Sequence, residues 1–159
     1  MAITSAICNS FKQEILVGTH NFTASSGNSF KIALFTSSAT LSKSTTAYTA
    51  PADGTANPTN THEVSSTSTG YTTGGNALTS TTPVLSGDTA CCKFADTSIS
   101  SASFTARGCL IYNTTSITGF TANRSVCAVN FGSDKTVTSG TFTIQFPAQT
   151  AGNAIVQIA

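Results

Sequence analysis

The sequence contains very little charge. Of its 159 residues, seven are Lys or Arg and six are Asp or Glu, so that 8% of the chain is charged, against roughly 25% in an ordinary soluble domain. The basic residues are scattered singly and the formal net charge is +1. Neutralising phosphates requires clustered Lys and Arg side chains, so this pattern argues against nucleic-acid binding.

Long apolar runs are also missing. No stretch approaches the roughly 20 apolar residues that a membrane-spanning helix needs. The first residues, Met-Ala-Ile-Thr-Ser, have neither the basic start nor the apolar run of a signal peptide. We therefore expect no membrane association, and we expect synthesis in a reducing cytoplasm. The glycosylation sequons at Asn21, Asn113 and Asn123 are then chance products of a Thr-rich chain.

Residue types that carry catalysis are few. The only histidines are His20 and His62, and neither adjoins a Gly-x-Ser-x-Gly nucleophile motif, which is absent. We expect both histidines at the surface and most of the six acids at turns or on an exposed helix face. For Asp96, we expect an ion pair with Lys93 across neighbouring strands. The sequence thus predicts no enzyme activity, no cofactor and no metal site.

The five cysteines do not form a recognisable framework. Their number is odd and their spacing matches no zinc or redox motif. We expect buried, reduced thiols that act as small apolar side chains, with one disulfide among them left open. The positions are Cys8, Cys91, Cys92, Cys109 and Cys127.

Serine and threonine are abundant instead. The chain has 22 Ser and 30 Thr, so 52 of 159 positions carry a small hydroxyl. Threonine favours strands and serine favours turns. A hydroxyl-covered surface can be buried against a partner without the cost of desolvating ions. The composition therefore favours a β-rich protein that works by contact with other protein surfaces.

One amphipathic helix is predicted near the N-terminus, over about residues 3–17. Ile3, Ile7, Phe11 and Ile15 recur at i+4 spacing and form one apolar stripe with Cys8 and Leu16 beside it. Thr4 or Ser5 would cap its start, Gly18 would end it, and Lys12, Gln13 and Glu14 would face water. The helix would cover a sheet; an extended arm on a neighbouring subunit is the alternative.

The rest of the chain predicts strands and one long surface loop, over about residues 42–69. Alternating apolar residues and turn signals place strands at 29–36, 77–85, 104–112, 126–131, 141–146 and 154–158. Gly74-Gly75 is a hairpin-type signal, and Gly132-Ser133-Asp134 would form a turn. The 104–112 strand is apolar on both faces, which indicates a central position. We expect one domain, 1–159, mainly β, as an antiparallel sandwich or a small barrel.

Several short motifs follow one another in a distinctive order. They are SFKQE at 10–14, FKIALFTS at 30–37, EVS at 63–65, GYTTGG at 70–75, Ala106-Arg107-Gly108, IYN at 111–113, FGSDK at 131–135 and GTFT at 140–143. In this order they resemble a family of small structural proteins encoded by tailed bacteriophages. The resemblance covers nearly the whole chain and brings no catalytic residues. Residues 51–61 and four of the cysteines depart from the family pattern.

The resemblance implies a place in the virion, with capsid decoration (cement) as the leading interpretation. Its partners would be the major capsid protein or other virion proteins, and a homo-oligomer, a trimer by analogy, is expected. A tail-tube, tail-tip or fibre component is the first alternative. The alternative from another functional class is a carbohydrate-binding adhesin module, which would need exposed aromatic side chains. Candidate partner contacts are the apolar and aromatic side chains of Ile3, Ile7, Phe11, Tyr48 and Tyr71.

Overall fold

The computed structural model describes residues 2–48, 62–120 and 122–159. In chain order, the elements are β1 (Ala6–Ile7), α1 (Asn9–Leu16), β2 (Phe30–Phe35), β3 (Asn76–Leu78), β4 (Ser80–Ser86), β5 (Thr89–Phe94), β6 (Thr97–Asn113), β7 (Arg124–Ile144) and β8 (Val156–Ile158). They form a five-stranded sheet, β1-β7-β6-β2-β3, and a three-stranded sheet, β4-β5-β8. All strand pairs are antiparallel. The mainly β, sandwich-type prediction is confirmed.

The longest feature is the antiparallel pair of β6 and β7. β6 lies between β7 and β2, so the predicted central position is confirmed. Beyond Gly108, β6 pairs with β7 alone as far as Thr97, and the pair forms a two-stranded ribbon. The turn predicted at 132–134 is wrong. Those residues lie inside β7, in a bulge where Asn130 pairs with Gly108 and Lys135 pairs with Ala106.

This bulge explains a second correction, to the faces of β6. Strict alternation predicted that Phe104 and Ala106 share a face with Leu110 and Tyr112. The bulge sets five steps of β7, from Asn130 to Lys135, against two steps of β6, and such an irregularity breaks the strict alternation of side chains. Phe104 and Ala106 accordingly pack in the same cluster as Cys109, while Leu110 and Tyr112 pack on the other side.

Apolar clusters cover both faces of the large sheet. The larger cluster lies between the two sheets and includes Phe11 of α1, Phe30, Phe94 and Ile111. The smaller one is closed by the segment 36–48, whose Ala39, Leu41 and Tyr48 pack on the opposite face together with Ile3, Ala33, Phe35, Leu110, Tyr112 and Ala128. The start of the predicted loop, at 42–48, therefore belongs to a segment that packs against the large sheet. At the other end of the predicted 42–69 loop, Glu63 forms a bridge with Phe35 and Val64 is buried, while residues 49–61 lie outside the described residues.

The N-terminal helix is half as long as predicted. Ile3 forms a bridge with Leu41 and Ile7 lies in β1, so the apolar i+4 series begins outside the helix. Cys8 occupies the N-cap without a side-chain hydrogen bond, so neither predicted hydroxyl caps the helix. The predicted end at Gly18 is confirmed, since this glycine has φ of +73° and donates its N–H to the Ile15 carbonyl.

The predicted strand at 77–85 is two strands in different sheets. β3 pairs with β2 in the large sheet, whereas β4 pairs with β5 in the small one. The prediction missed β5, which is joined to β4 by a two-residue turn at Gly87-Asp88. The predicted final strand, 154–158, is present as the shorter β8, an edge strand beside β5.

All five cysteines are free and buried, as predicted. Burial raises the pKa of Cys8 to about 11 and those of Cys92 and Cys109 to about 12, so these thiols stay protonated at neutral pH. The described residues contain no group of His, Cys, Asp and Glu side chains suited to hold a metal ion. The one helix in the described chain is too short and too polar to cross a bilayer.

Candidate functional site

Two acids that the sequence analysis placed at the surface are the centres of internal polar clusters. Glu14 was expected to face water from α1, but its side chain is directed inward and the residue is 2% exposed. Its Oε2 lies 2.6 Å from Nε2 of His20, and its Oε1 accepts a hydrogen bond from Arg124. The predicted surface position of His20 is wrong as well, since this residue is buried.

The hydrogen bonds around His20 identify its tautomer. Nδ1 lies 3.1 Å from Nδ2 of Asn113, which also donates to Oδ1 of Asn28. Oδ1 of Asn113 accepts from the N–H of Thr115, which orients the amide. An amide nitrogen only donates, so Nδ1 of His20 accepts and Nε2 carries the proton toward Glu14. His20 is therefore neutral in this arrangement.

The pKa directions agree with that geometry. Burial, with the Arg124 charge adding to it, lowers the pKa of His20 below 6.5, although hydrogen bonding to Glu14 opposes the shift. For Glu14, burial by itself would raise the pKa, but the hydrogen bonds from Arg124 and His20 outweigh it and the pKa falls. The pair is thus an ionised carboxylate beside a neutral imidazole.

A buried acid–histidine pair resembles part of a hydrolytic triad, but this one lacks the other requirements. A general base needs a ring nitrogen that is free to reach a nucleophile or water, and both nitrogens of His20 are already engaged. None of the four best-defined surface grooves of the described chain is lined by Glu14, His20, Asn113 or Arg124. The cluster instead ties α1 to the ends of β6 and β7.

The second cluster surrounds Glu63, which belongs to the predicted surface loop at 42–69. Its Oε1 accepts from the hydroxyl of Tyr71 at 2.6 Å and from the N–H of Gly74 at 2.7 Å, and its Oε2 accepts from the hydroxyl of Tyr48 at 3.0 Å. The ring of Tyr48 stacks on that of Tyr112 with centroids 4.4 Å apart. Glu63 therefore joins its own segment to that of Tyr48 and to that of Tyr71 and Gly74 through neutral donors.

Four of the five predicted partner contacts lie inside the chain. Ile3, Phe11, Tyr48 and Tyr71 are all buried inside the chain, because each packs in a core cluster or bonds to Glu63. Their side chains leave almost no surface for another protein. Ile7 is half-buried and lines a surface groove, whose floor the buried Phe11 also reaches, so Ile7 is the one of the five with substantial accessible surface there.

The exposed apolar residues lie elsewhere and are concentrated. Leu16 is 85% exposed and Val17, which follows it at the end of α1, is 63% exposed. Ile158 of β8 and Leu85 of β4 are exposed in the small sheet. We call Leu16, Val17, Leu85 and Ile158 the apolar surface. Apolar patches of this kind on soluble proteins mark interaction sites more often than scattered single residues do.

Strand register explains why the small sheet contributes to this surface. Leu85 pairs with Ala90, which pairs with Ile158, so the three side chains share one face. Cys92 and Val156 pair one step further along the same face, because alternate residues of a strand point the same way. Those two are buried in the core. The core-facing side of the small sheet thus extends beyond the core and stays open.

Two apolar grooves adjoin the apolar surface. One, of about 280 Å³, lies between α1 and β8 and is lined by Ile7, Phe11, Lys12, Ile15, Leu16, Val156, Gln157 and Ile158. The other, of about 90 Å³, lies between Ile15 and Phe22 on one side and β5 and β8 on the other. Lys12 is the only charged side chain in either lining.

The β6–β7 ribbon presents a different surface, covered by hydroxyls. Ser98 and Thr143 lie directly opposite each other with their hydroxyl oxygens 2.9 Å apart, and Thr105 and Thr136 do the same at 2.8 Å. The strands also carry one exposed ion pair, between Arg107 and Asp134 at 2.7 Å. The predicted pair of Asp96 with Lys93 is not among the ion pairs of the described residues; Asp96 accepts the N–H of Phe146 instead.

Comparisons with protein-family models, with curated proteins and with solved structures find no match to this chain.

Proposed function

We propose that the protein is a structural subunit of a larger protein assembly, and specifically a capsid decoration protein of a tailed bacteriophage. The observation that supports this proposal is the apolar surface, with Leu16 almost fully exposed in a chain that is only 8% charged. Burying such side chains against a neighbouring subunit stabilises an assembly by roughly 25 cal/mol per Å² of apolar area. The motif order at 10–143 supplies the bacteriophage part of the proposal.

The hydroxyl-covered ribbon suits the same role. Contact with a capsid shell is spread over large areas and many copies, so each contact can be weak while the total is strong. Ser98, Thr105, Thr136 and Thr143 already satisfy one another across the ribbon. Covering them with a partner therefore leaves few polar groups unpaired.

The carbohydrate-binding alternative has less support, because it needs exposed aromatic rings and the chain has three tyrosines and no tryptophan to supply them. Tyr48, Tyr71 and Tyr112 are all buried and bonded internally. A sugar platform needs exposed rings, and the exposed aromatic residue of the described chain is Phe120, which lies under the guanidinium of Arg124.

The test of the proposed function is a phage that lacks this protein. Its heads should form normally but release DNA on heating or at low salt, and purified wild-type protein added back should restore heat resistance. Wild-type virions should carry hundreds of copies of the chain. A handful of copies per particle, or heat resistance without the protein, would contradict capsid decoration and favour a tail-tip or fibre role.

A further inference from the structure

We propose that the apolar surface binds the same surface of a second copy of this chain about a two-fold axis. The inference rests on the proposed function, since it names the neighbour that covers this surface. In a two-fold contact each copy presents the same patch, so the patch must be complementary to itself. Three features of the apolar surface meet that requirement.

The first feature is a protruding side chain next to a groove of fitting chemistry. Leu16 projects from the end of α1 with 85% of its surface exposed, and it also forms the rim of the α1–β8 groove. A two-fold rotation places Leu16 of each copy over the groove of the other. An exposed leucine and an apolar groove of about 280 Å³ are then both removed from water.

The second feature is the free edge of β8 beside that groove. β8 pairs with β5 on one side, and no strand of the described chain pairs with its other side. The α1–β8 groove includes β8 but no residue of β5, so it lies along this free edge. Two copies related by a two-fold axis bring their β8 strands together antiparallel, the arrangement in which strands pair readily.

The third feature is the charge of the lining. In a two-fold contact, a charged group near the axis lies close to the same group of the second copy, and the two repel each other. A self-complementary surface must therefore hold little charge near the axis. Lys12 is the one charged residue lining the two grooves, and it lies exposed on α1. A binding site for a different protein would gain specificity from a pattern of opposite charges, which this lining does not have.

The experiment measures the mass of the full chain by sedimentation equilibrium. Wild-type protein should reach twice the chain mass of 16.2 kDa as its concentration rises. Leu16→Asp should remain monomeric, with the dissociation constant raised at least ~100-fold, because each dimer would bury two unpaired carboxylates. Leu85→Asp should weaken the dimer by a smaller factor, because Leu85 lines neither groove.

The matched control is Val84→Asp. Val84 is an exposed neighbour of Leu85 on the same strand, but it pairs with Cys91 and so points to the opposite face of the small sheet. This variant should dimerise like wild type. A monomeric wild-type chain at millimolar concentration would overturn the inference, as would equal loss of dimer in Val84→Asp and Leu16→Asp.

Binding of the purified chain to phage particles tests the proposed function independently of this inference. If the wild-type chain is monomeric but still restores heat resistance to deficient phage, the function stands and the second copy is not the neighbour. If the chain dimerises through Leu16 but never binds particles, the inference stands and capsid decoration fails. Circular dichroism of Leu16→Asp checks its fold, which an 85% exposed position should leave intact.

Discussion

Glu14 and Glu63 are two inward-facing acids that hold distant segments of one small protein together by different means. Glu14 is held by a guanidinium and an imidazole, whereas Glu63 is held by two tyrosine hydroxyls and a backbone N–H. The first cluster depends on charge and contains a titrating partner, and the second depends on neutral donors. A nearly uncharged chain thus uses two of its six acids to join separate parts of the fold.

The largest effect should follow from Glu14→Gln. The amide would remove the carboxylate charge that faces the Arg124 guanidinium in a largely buried site, and breaking a buried ion pair costs about 3 kcal/mol or more. We expect the free energy of unfolding at pH 7, measured by urea titration, to fall by that amount. Asp134→Asn makes the same exchange in the exposed pair with Arg107 and should cost less than about 1 kcal/mol. Equal losses in the two variants would contradict the structural role of Glu14.

A smaller loss is expected for Glu63→Gln. The amide oxygen can still accept one hydrogen bond, but bonds to a charged acceptor are stronger than those to a neutral one, by roughly 1 kcal/mol each. With three donors around Glu63, we expect a loss of about 2 kcal/mol in the same urea measurement. A loss larger than that of Glu14→Gln would reverse the comparison between the two clusters.

The pH dependence should distinguish the clusters further. The pKa of His20 is lowered in the folded protein, so the unfolded chain binds the proton first as pH falls. The free energy of unfolding therefore has its full value above about pH 6.5, the ordinary pKa of histidine. As the pH falls below about 6.5, it decreases by at most about 1.4 kcal/mol per pH unit. The lowered pKa of Glu14 acts in the same direction at lower pH.

His20→Gln tests this, because glutamine can donate to Glu14 and accept from Asn113 without titrating. Its free energy of unfolding should change little between pH 6.5 and 5, where that of the wild type declines. His62→Gln removes the histidine outside the cluster and should keep the decline. A wild-type decline that persists in His20→Gln would assign the acid sensitivity to other groups.

The smallest effects should come from single hydroxyls around Glu63. Tyr112→Phe removes one hydrogen bond to the Gly74 carbonyl and should cost about 1 kcal/mol. Tyr71→Phe should cost more, between about 1 and 2 kcal/mol, because it also leaves the buried N–H of Leu34 without its acceptor. Thermal or urea unfolding of the two variants side by side checks the order.

Part of this arrangement follows from residue patterns. The alternation at 29–36 predicted β2 within one residue of each end, because Phe30, Ile32 and Leu34 recur at the period of a strand. The thiols were correctly predicted as free, since their number and spacing fit no framework. The acids were misjudged, because a lone Glu in a polar helix turn looks the same whether it meets water or Arg124, 110 residues away.

Two patterns could have improved the prediction. Gly87-Asp88 between apolar residues is a hairpin signal, and it would have indicated both β4 and β5. Leu16-Val17 directly before the helix-ending Gly18 places two apolar side chains where a helix frays. The bulge at 131–134 had no such signal, since a Gly-Ser-Asp sequence suits a turn and a bulge equally well.

By itself, the amino-acid sequence determined the class of the protein: a β-rich, weakly charged chain with reduced thiols, because alternation and composition act locally. Tertiary structure decided which side chains are inside, since burial of Glu14, His20 and Tyr71 depends on partners far along the chain. It also decided where the surface is apolar. The register of β4, β5 and β8 carries a core-facing row past the end of the core, and a register is fixed only when strands pair.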